Sequence, residues 1–212
     1  MTNPIRRYFY RTFERSIAMR RSQFEILPLP ASRVLFLGDS ITEGGQWDEW
    51  FPNLPTLNRG IGGDTVAGVG GRLDSAINEP AAISLLIGTN DLGAKGRSPR
   101  IVDELSLAIE ELVISIRQMA PGSPLLLNSV MPRHQKYADA IRRLNERIRV
   151  VAAKHDAVFV DLWPVLATEE GALRSEFSSD ALHLNGAGYR VWVDTLTEAL
   201  SPLSLSSKNG TL

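Results

Sequence analysis

The chain has 212 residues, of which 43% are hydrophobic and 22% are charged, a balance typical of a single globular domain with a sizeable core. Cysteine is absent, which excludes disulfides, thiolate metal sites and cysteine nucleophiles, and no apolar stretch approaches the ~20 residues that a membrane-spanning helix needs. The net charge of −1 gives no overall field that would attract nucleic acid, so we expect no nucleic-acid partner.

The first 30 residues form a basic segment with apolar residues at helical spacing. They contain six arginines and two glutamates, and Phe9, Phe13 and Ile17 recur every four residues ahead of Pro28. This pattern predicts that residues 1–30 hold a basic amphipathic helix, packed on the domain with its charged face in solvent. Three alternatives stay open: weak contact with an anionic membrane surface, an oligomer contact such as a homodimer, and an Arg-rich transit peptide.

The ends of the chain differ in composition from its centre. The basic segment lacks the uninterrupted apolar stretch and the small-residue cleavage site of a secretory signal peptide, so we expect a cytoplasmic protein. Residues 203–212 are rich in serine and are expected to form a flexible tail. The folded domain is therefore predicted to span residues 31–202.

From residue 33 onward, short strand-like stretches alternate with longer helix-like ones. The predicted strands are residues 34–37, 56–58, 83–87, 124–130 and 157–161. The predicted helices are residues 65–77, 99–119, 138–154 and 187–200. Such alternation is typical of an α/β fold, here a three-layer α/β/α sandwich around a five-stranded parallel sheet. Ligands of these folds bind beyond the carboxyl ends of the strands, so site residues should follow strands directly.

Ser40 follows the first predicted strand, where the chain turns into a helix. Its hydroxyl would lie at the carboxyl edge of the sheet, with its backbone N–H near a helix N-terminus, where negative charge is favoured. The turn Gly-Asp-Ser-Ile-Thr over residues 38–42 lacks the second glycine of the G-x-S-x-G elbow, which argues against an ordinary α/β-hydrolase. The alternative is that Ser40 is a plain helix N-cap.

Asp180 and His183 lie three residues apart, between the fifth predicted strand and the last predicted helix. Imidazole titrates near ~6.5 and is suited to take the proton of a serine hydroxyl at neutral pH. A carboxylate that fixes the imidazole tautomer would complete a catalytic triad. The alternative is that Asp180 caps the last helix and His183 is incidental. The other histidines fit helix ends: His134 a helix start and His155 a helix C-terminus.

Backbone and amide donors follow the second and third predicted strands. The segment Gly-Ile-Gly-Gly-Asp at residues 60–64 lets backbone N–H groups approach a ligand closely, and Asn90 offers a side-chain amide. Such donors are what the oxyanion of an acyl-transfer intermediate requires, although glycines also serve ordinary turns. The glycine segment is not a G-x-G-x-x-G, and P-loop and H-E-x-x-H motifs are missing, so we expect neither a nucleotide site nor a catalytic metal.

Together, four segments in chain order resemble the SGNH (GDSL) hydrolase superfamily. They are Phe-Leu-Gly-Asp-Ser-Ile-Thr at 36–42, Asn-Arg-Gly-Ile-Gly-Gly-Asp-Thr at 58–65, Gly-Thr-Asn-Asp at 88–91 and Asp-Ala-Leu-His at 180–183. The glycine segment looks most like the subgroup of platelet-activating-factor acetylhydrolase catalytic subunits and related bacterial esterases. The resemblance implies a flavodoxin-like sandwich with five parallel strands, in agreement with the pattern above.

The resemblance also implies residue roles. Ser40 would be the nucleophile, His183 the base and Asp180 its partner. The oxyanion hole would consist of the backbone N–H groups of Ser40 and Gly63 and the side-chain amide of Asn90. The implied mechanism is two-step acyl transfer through an acyl-enzyme, which requires no cofactor.

We therefore expect a serine esterase that hydrolyses short-acyl esters, acetyl above all. Modest loops predict an open, shallow site for a small ester or an acetylated sugar. The candidate substrate-binding walls are loop residues that follow strands: Trp47, Leu92, Met131 and Tyr137, with Trp50 and His134 beside them. Each wall residue could instead be ordinary packing. Two other functions stay open, an acyltransferase that uses the same acyl-enzyme and a non-catalytic binding module that keeps the fold.

Overall fold

A computed structural model of the chain describes residues 4–201 and 203. The side chains of Phe9 and Phe13, and the predicted tail from residue 204 onward, lie outside this description. The first helix runs over Pro4–Ile26. Within the described residues, none of the helices combines the length and the apolar character that crossing a bilayer requires.

The centre of the fold is one parallel sheet in the order β2-β1-β3-β4-β5. The strands are β1 Val34–Gly38, β2 Thr56–Gly60, β3 Ala82–Leu86, β4 Leu125–Asn128 and β5 Val158–Val160. This order is the flavodoxin-like one, with the chain reversing direction across the sheet after β2. The predicted α/β sandwich with five parallel strands is confirmed, and each strand lies within a few residues of its predicted position.

Helices cover both faces of the sheet. They are α1 Pro4–Ile26, α2 Ser40–Glu43, α3 Trp47–Trp50, α4 Val66–Gly70, α5 Thr89–Lys95, α6 Pro99–Met119, α7 Ala138–Lys154, α8 Trp163–Leu166 and α9 Gly186–Leu200. The predicted bounds of α6 and α7 are confirmed, and α9 begins one residue earlier than predicted.

The continuous helix predicted over residues 65–77 is wrong. The chain forms the short α4 and then a separate 3₁₀ turn over Leu73–Ser75. Gly70 and Gly71 separate the two pieces, and adjacent glycines cost about 1 kcal/mol each in a helix relative to alanine. Apolar residues on both sides of the glycine pair produced the helical pattern, but the backbone between them favours a break.

Two apolar layers enclose the sheet. Along β1, Leu35 and Leu37 pack into the layer beneath α4, α6 and α7, whereas Val34 and Phe36 face the layer beneath α3, α8 and α9. This alternation follows from the two-residue period of a strand, and burial on both faces explains why β1 is entirely apolar. Both layers hold the sheet rigidly, so the loops at its carboxyl edge start from fixed points.

Candidate active site

Ser40 lies at the start of α2, directly beyond the carboxyl end of β1. The N-cap of α2 is Asp39, whose Oδ1 accepts the N–H of Ile41 at 3.0 Å. The alternative that Ser40 is a plain N-cap is therefore wrong. The first residue of a helix has no intrahelical acceptor for its N–H, so the Ser40 N–H stays available at the edge of the sheet.

Ser40, His183 and Asp180 form one chain of hydrogen bonds. The Oγ of Ser40 lies 3.0 Å from Nε2 of His183, and Nδ1 of His183 lies 2.7 Å from Oδ2 of Asp180. With its proton on Nδ1, facing the carboxylate, the ring presents Nε2 as an acceptor to the hydroxyl. The hydrogen bond from His183 lowers the pKa of Asp180 below its ordinary value, so the carboxylate is ionised at neutral pH.

A tight turn presents the imidazole. Oδ1 of Asp180 accepts the backbone N–H groups of Leu182 and His183 at 2.9 and 2.8 Å, and Ala181 adopts a left-handed backbone with φ of 57°. The same carboxylate thus fixes both the backbone and the ring of His183. Asp180 does not cap the last helix, because the N-cap of α9 is Asn185, whose Oδ1 accepts the N–H of Gly188 at 3.1 Å.

The glycine segment beyond β2 forms a turn that requires glycine. The N–H of Asp64 donates to the carbonyl of Ile61 at 3.1 Å, and Gly63, the third residue of this turn, has φ of +78°. A positive φ at this position is typical of a type II turn, where glycine is strongly preferred. We call residues 61–64 the oxyanion loop, after the role that the family resemblance gives to Gly63.

Hydrogen bonds distinguish the three glycines of this region. The N–H of Gly60 donates to Oδ1 of Asn58 at 2.9 Å, and that of Gly62 donates to Oε2 of Glu43 at 2.6 Å. Of these three glycines, Gly63 is therefore the one whose N–H has no acceptor among the described residues.

Asn90 lies in the first turn of α5, beyond β3. Its Nδ2 donates one hydrogen to the carbonyl of Asp64 at 2.8 Å, which leaves the second amide hydrogen for a ligand. β1 lies between β2 and β3, so Ser40, Gly63 and Asn90 start from three adjacent strand ends. The sheet order thus brings all three predicted oxyanion donors to one edge.

Asp39 is a fully buried carboxyl group directly beneath the site. It has no exposed surface, and its Oδ2 has no hydrogen-bond partner among the described residues. Burial raises the pKa of Asp39 to about 7; the N–H of Ile41 and the charge of His183 oppose this rise. Asp39 therefore keeps its proton at pH values at which an exposed aspartate is already ionised.

Arg133 is a polar residue near the site that the sequence patterns did not select. Its Nη1 donates to the carbonyl of Thr89 at 3.1 Å, next to Asn90, and its guanidinium lies 4.2 Å from the ring centroid of Tyr137. Burial lowers the pKa of Arg133, an effect opposed by the charges of Asp39 and Asp180 among others. Its position after β4 was the available signal, since the other site residues also follow strands.

Three of the predicted substrate walls are instead core residues. Trp47, Leu92 and Met131 are 1%, 0% and 2% exposed, so their side chains offer almost no surface to a substrate. Trp47 stacks on Phe36 with ring centroids 3.9 Å apart and donates Nε1–H to the carbonyl of Thr42 at 2.9 Å. Trp47 and Leu92 lie on the short helices α3 and α5 and Met131 follows β4, and all three side chains pack into the apolar layers.

The other candidate walls keep some exposed surface. Tyr137 is half-buried beside Arg133, Trp50 is half-buried under Arg190, and His134 is exposed. In the part of the chain that the structure describes, no cluster of three or more His, Asp or Glu side chains is arranged to hold a metal ion.

Comparison with known proteins supplies the family. The model of the GDSL-like lipase/acylhydrolase family matches residues 36–191, a range that contains the oxyanion loop and the Ser40, Asp180 and His183 chain. The chain belongs to the GDSL-like lipase/acylhydrolase family. This GDSL protein is an enzyme, a serine hydrolase of carboxylic esters, and the predicted resemblance and enzyme class are confirmed.

Its relatives include subunits of one acetylhydrolase. Platelet-activating factor acetylhydrolase IB subunit alpha2 of Rattus norvegicus is 30% identical over 182 residues, which cover 80% of this chain and 76% of that protein. Subunit alpha1 of Bos taurus is 29% identical over 167 residues, covering 74% and 69%. A solved structure from Streptococcus pneumoniae, described as a platelet activating factor, has a TM-score of 0.83 and 25% identity, covering 94% of this chain and 100% of that one.

Proposed function

We propose that this GDSL hydrolase cleaves short-acyl esters, acetyl esters above all, by a Ser40–His183–Asp180 acyl-enzyme mechanism. The observation that carries the proposal is the unbroken hydrogen-bond chain from the Ser40 hydroxyl through His183 to Asp180, with separations of 3.0 and 2.7 Å. A hydroxyl at hydrogen-bond distance from an imidazole that a carboxylate orients is the arrangement of an activated serine nucleophile.

The first half-reaction forms the acyl-enzyme. Oγ of Ser40 attacks the ester carbonyl while Nε2 of His183 takes the hydroxyl proton, and the ionised Asp180 stabilises the resulting imidazolium. The tetrahedral intermediate collapses by breaking the bond to the alkoxy oxygen. His183 returns its proton to that oxygen, and the alcohol leaves.

Water then attacks the acyl carbonyl while Nε2 of His183 takes its proton, and the second tetrahedral intermediate breaks the bond to Oγ of Ser40. His183 returns the proton to Oγ, and the carboxylic acid leaves. About half of the side-chain surface of His183 and Asp180 is exposed, 47% and 51%, so water has direct access to the base. This access favours hydrolysis over transfer to an alcohol acceptor, because an acyltransferase must protect its acyl-enzyme from water. We therefore assign esterase activity ahead of acyltransferase activity.

Three donors would stabilise the oxyanion of both intermediates. They are the N–H groups of Ser40 and Gly63 and the second amide hydrogen of Asn90, none of which has an acceptor among the described residues. Loss of one such donor typically slows catalysis by about 10²–10³. Their origin at adjacent strand ends gives a rigid arrangement that needs no reorganisation during the reaction.

The acetyl preference is supported by the named relatives. Two of them, at 30% and 29% identity, carry the name acetylhydrolase. We propose a small ester or an acetylated sugar as substrate. A weak membrane contact and a homodimer find no support among the described residues, and a cytoplasmic location stays a prediction.

The test is covalent labelling followed by an acyl-chain series. We expect a fluorophosphonate to add one stoichiometric adduct, mapped to Ser40 and lost in Ser40→Ala and His183→Ala. A nitrophenyl ester series should give kcat/KM values that fall from acetate to octanoate. Full labelling with a preference for octanoate would overturn the acyl assignment alone. A folded wild-type protein that takes no label would overturn the mechanism and favour a binding module.

A further inference from the structure

Helix α1 contacts the catalytic domain through two adjacent arginines. Nε of Arg20 lies 3.4 Å from Oε1 of Glu43, and Nη2 of Arg21 lies 2.7 Å from Oδ1 of Asp64. α1 ends before residue 36, where the family match begins, and the activity proposed above assigns it no task. Arg20 and Arg21 of this helix nevertheless contact residues that lie next to the active site.

Both carboxylates hold the oxyanion loop. Oε2 of Glu43 accepts the N–H of Gly62, the residue before Gly63, at 2.6 Å. The other carboxylate oxygen, Oε1, is the one that Arg20 faces. Glu43 is also the last residue of α2, the one-turn helix that starts with Ser40. One short helix therefore carries both the proposed nucleophile and the side chain that anchors the loop.

Asp64 anchors the other side of Gly63. Its side chain is 1% exposed, and its two carboxylate oxygens are divided between Arg21 and the buried Arg72, whose Nε lies 2.7 Å from Oδ2. The backbone carbonyl of Asp64 accepts the amide of Asn90. Displacement of Asp64 would therefore move two of the proposed oxyanion donors, Gly63 and Asn90, together.

Phe24 fixes the position of α1 along the domain. Its side chain is 3% exposed, and the guanidinium groups of Arg20, Arg59 and Arg72 lie 4.8, 4.5 and 6.0 Å from its ring centroid. Arg72 also donates to the carbonyl of Gly38, at the end of β1, at 3.1 Å. These cation–π contacts help to fix the position of α1, and one of them involves Arg20, the arginine that faces Glu43.

We propose that Arg20 and Arg21 of α1 are positioning residues that hold the oxyanion loop in its reactive geometry through Glu43 and Asp64. The inference rests on the proposed oxyanion role of Gly63 and Asn90. Misplacement of a catalytic group by 1 Å can cost about 10²-fold in rate, so an electrostatic support for the loop affects kcat rather than substrate binding. α1 is then a functional part of the enzyme.

The test compares Arg21→Gln and Arg20→Gln with Arg15→Gln in the full chain. Arg15 is an exposed arginine of the same helix and serves as the matched control. On nitrophenyl acetate we expect Arg21→Gln to lower kcat about tenfold with KM within twofold of wild type, below the 10²–10³ cost of losing a whole donor. Arg20→Gln should lower kcat about threefold, Arg21→Lys should recover part of the loss, and Arg15→Gln should leave kcat unchanged.

A second readout separates positioning from folding. Amide hydrogen exchange of the peptide that contains Gly62 and Gly63 should speed up in Arg20→Gln and Arg21→Gln at an unchanged Tm. If Arg21→Gln fails to fold, Arg20→Gln and Glu43→Gln still test the proposal. The Arg20–Glu43 pair that they break is partly exposed and adds little to stability. Wild-type kcat in the folded variants would overturn the proposal. If Ser40→Ala is inactive while the arginine variants keep wild-type kcat, the esterase mechanism holds and only the positioning role is overturned.

Discussion

Replacement of Asp39 by asparagine should stabilise the protein, and the gain should grow with pH. Asp39 is fully buried and its Oδ2 has no partner among the described residues, so the charged carboxylate is disfavoured in the folded state. Asparagine keeps an oxygen that can accept the N–H of Ile41 and carries no charge. The substitution thus removes the titration and preserves the N-cap of α2.

The magnitude follows from the pKa difference between folded and unfolded chains. The pKa of Asp39 is 3.8 unfolded and about 7 folded, and one unit corresponds to about 1.36 kcal/mol. Because the folded pKa is raised, the unfolded chain releases its proton first, and the wild type loses stability as pH rises from about 4 to 7. The loss reaches about 4 kcal/mol above pH 7, of which about 2–3 kcal/mol accrues between pH 5 and pH 8.

Urea denaturation at pH 5 and pH 8 measures this directly. The free energy of unfolding of Asp39→Asn, minus that of wild type, should rise by about 2–3 kcal/mol between the two pH values. Asp194→Asn, at an exposed position of α9, is the control and should show a difference that does not change with pH. Parallel pH dependences for wild type and Asp39→Asn would refute the raised pKa of Asp39.

Substitutions at four further positions test the site and the packing beside it. Ser40→Ala and His183→Ala should each lower kcat by several orders of magnitude, with the double variant little worse than either and Asp180→Ala less severe; additive losses would contradict a shared catalytic unit. Trp47→Phe should cost about 1 kcal/mol or more in urea, since it loses the 2.9 Å hydrogen bond to Thr42. It should leave kcat/KM unchanged, and a large rise in KM would restore Trp47 as a substrate contact.

The sheet and the long helices were predictable because their patterns extend over many residues. α6 and α7 each repeat apolar residues at helical spacing over four turns or more, and both have the predicted bounds. The region of α4 gave the wrong prediction because the apolar pattern continued across Gly70 and Gly71. Periodicity reports which residues are buried, whereas the low helix propensity of two glycines decides whether the helix is continuous.

The basic segment shows a second limit of sequence patterns. Its arginines predicted a charged face in solvent, yet Arg20 and Arg21 face Glu43 and Asp64, and Arg20 also lies over the ring of the buried Phe24. No pattern within residues 1–30 indicates these partners, because they lie some 20 to 40 positions further along the chain. Charge composition therefore identified the residues but gave no information on what they contact.

The predicted site residues fall into two groups, those that lie at the edge of the sheet and those that are buried in the core, and the difference has a physical cause. A residue placed just beyond a parallel strand must lie at the carboxyl edge of the sheet, so topology alone brings Ser40, Gly63 and Asn90 to neighbouring strand ends. Trp47 and Met131 also follow strands, but their large apolar side chains gain more from burial, about 1.5–3 kcal/mol each, than from lining an open site. Strand order places the backbone, and side-chain polarity decides which of the placed residues remain at the surface to meet substrate.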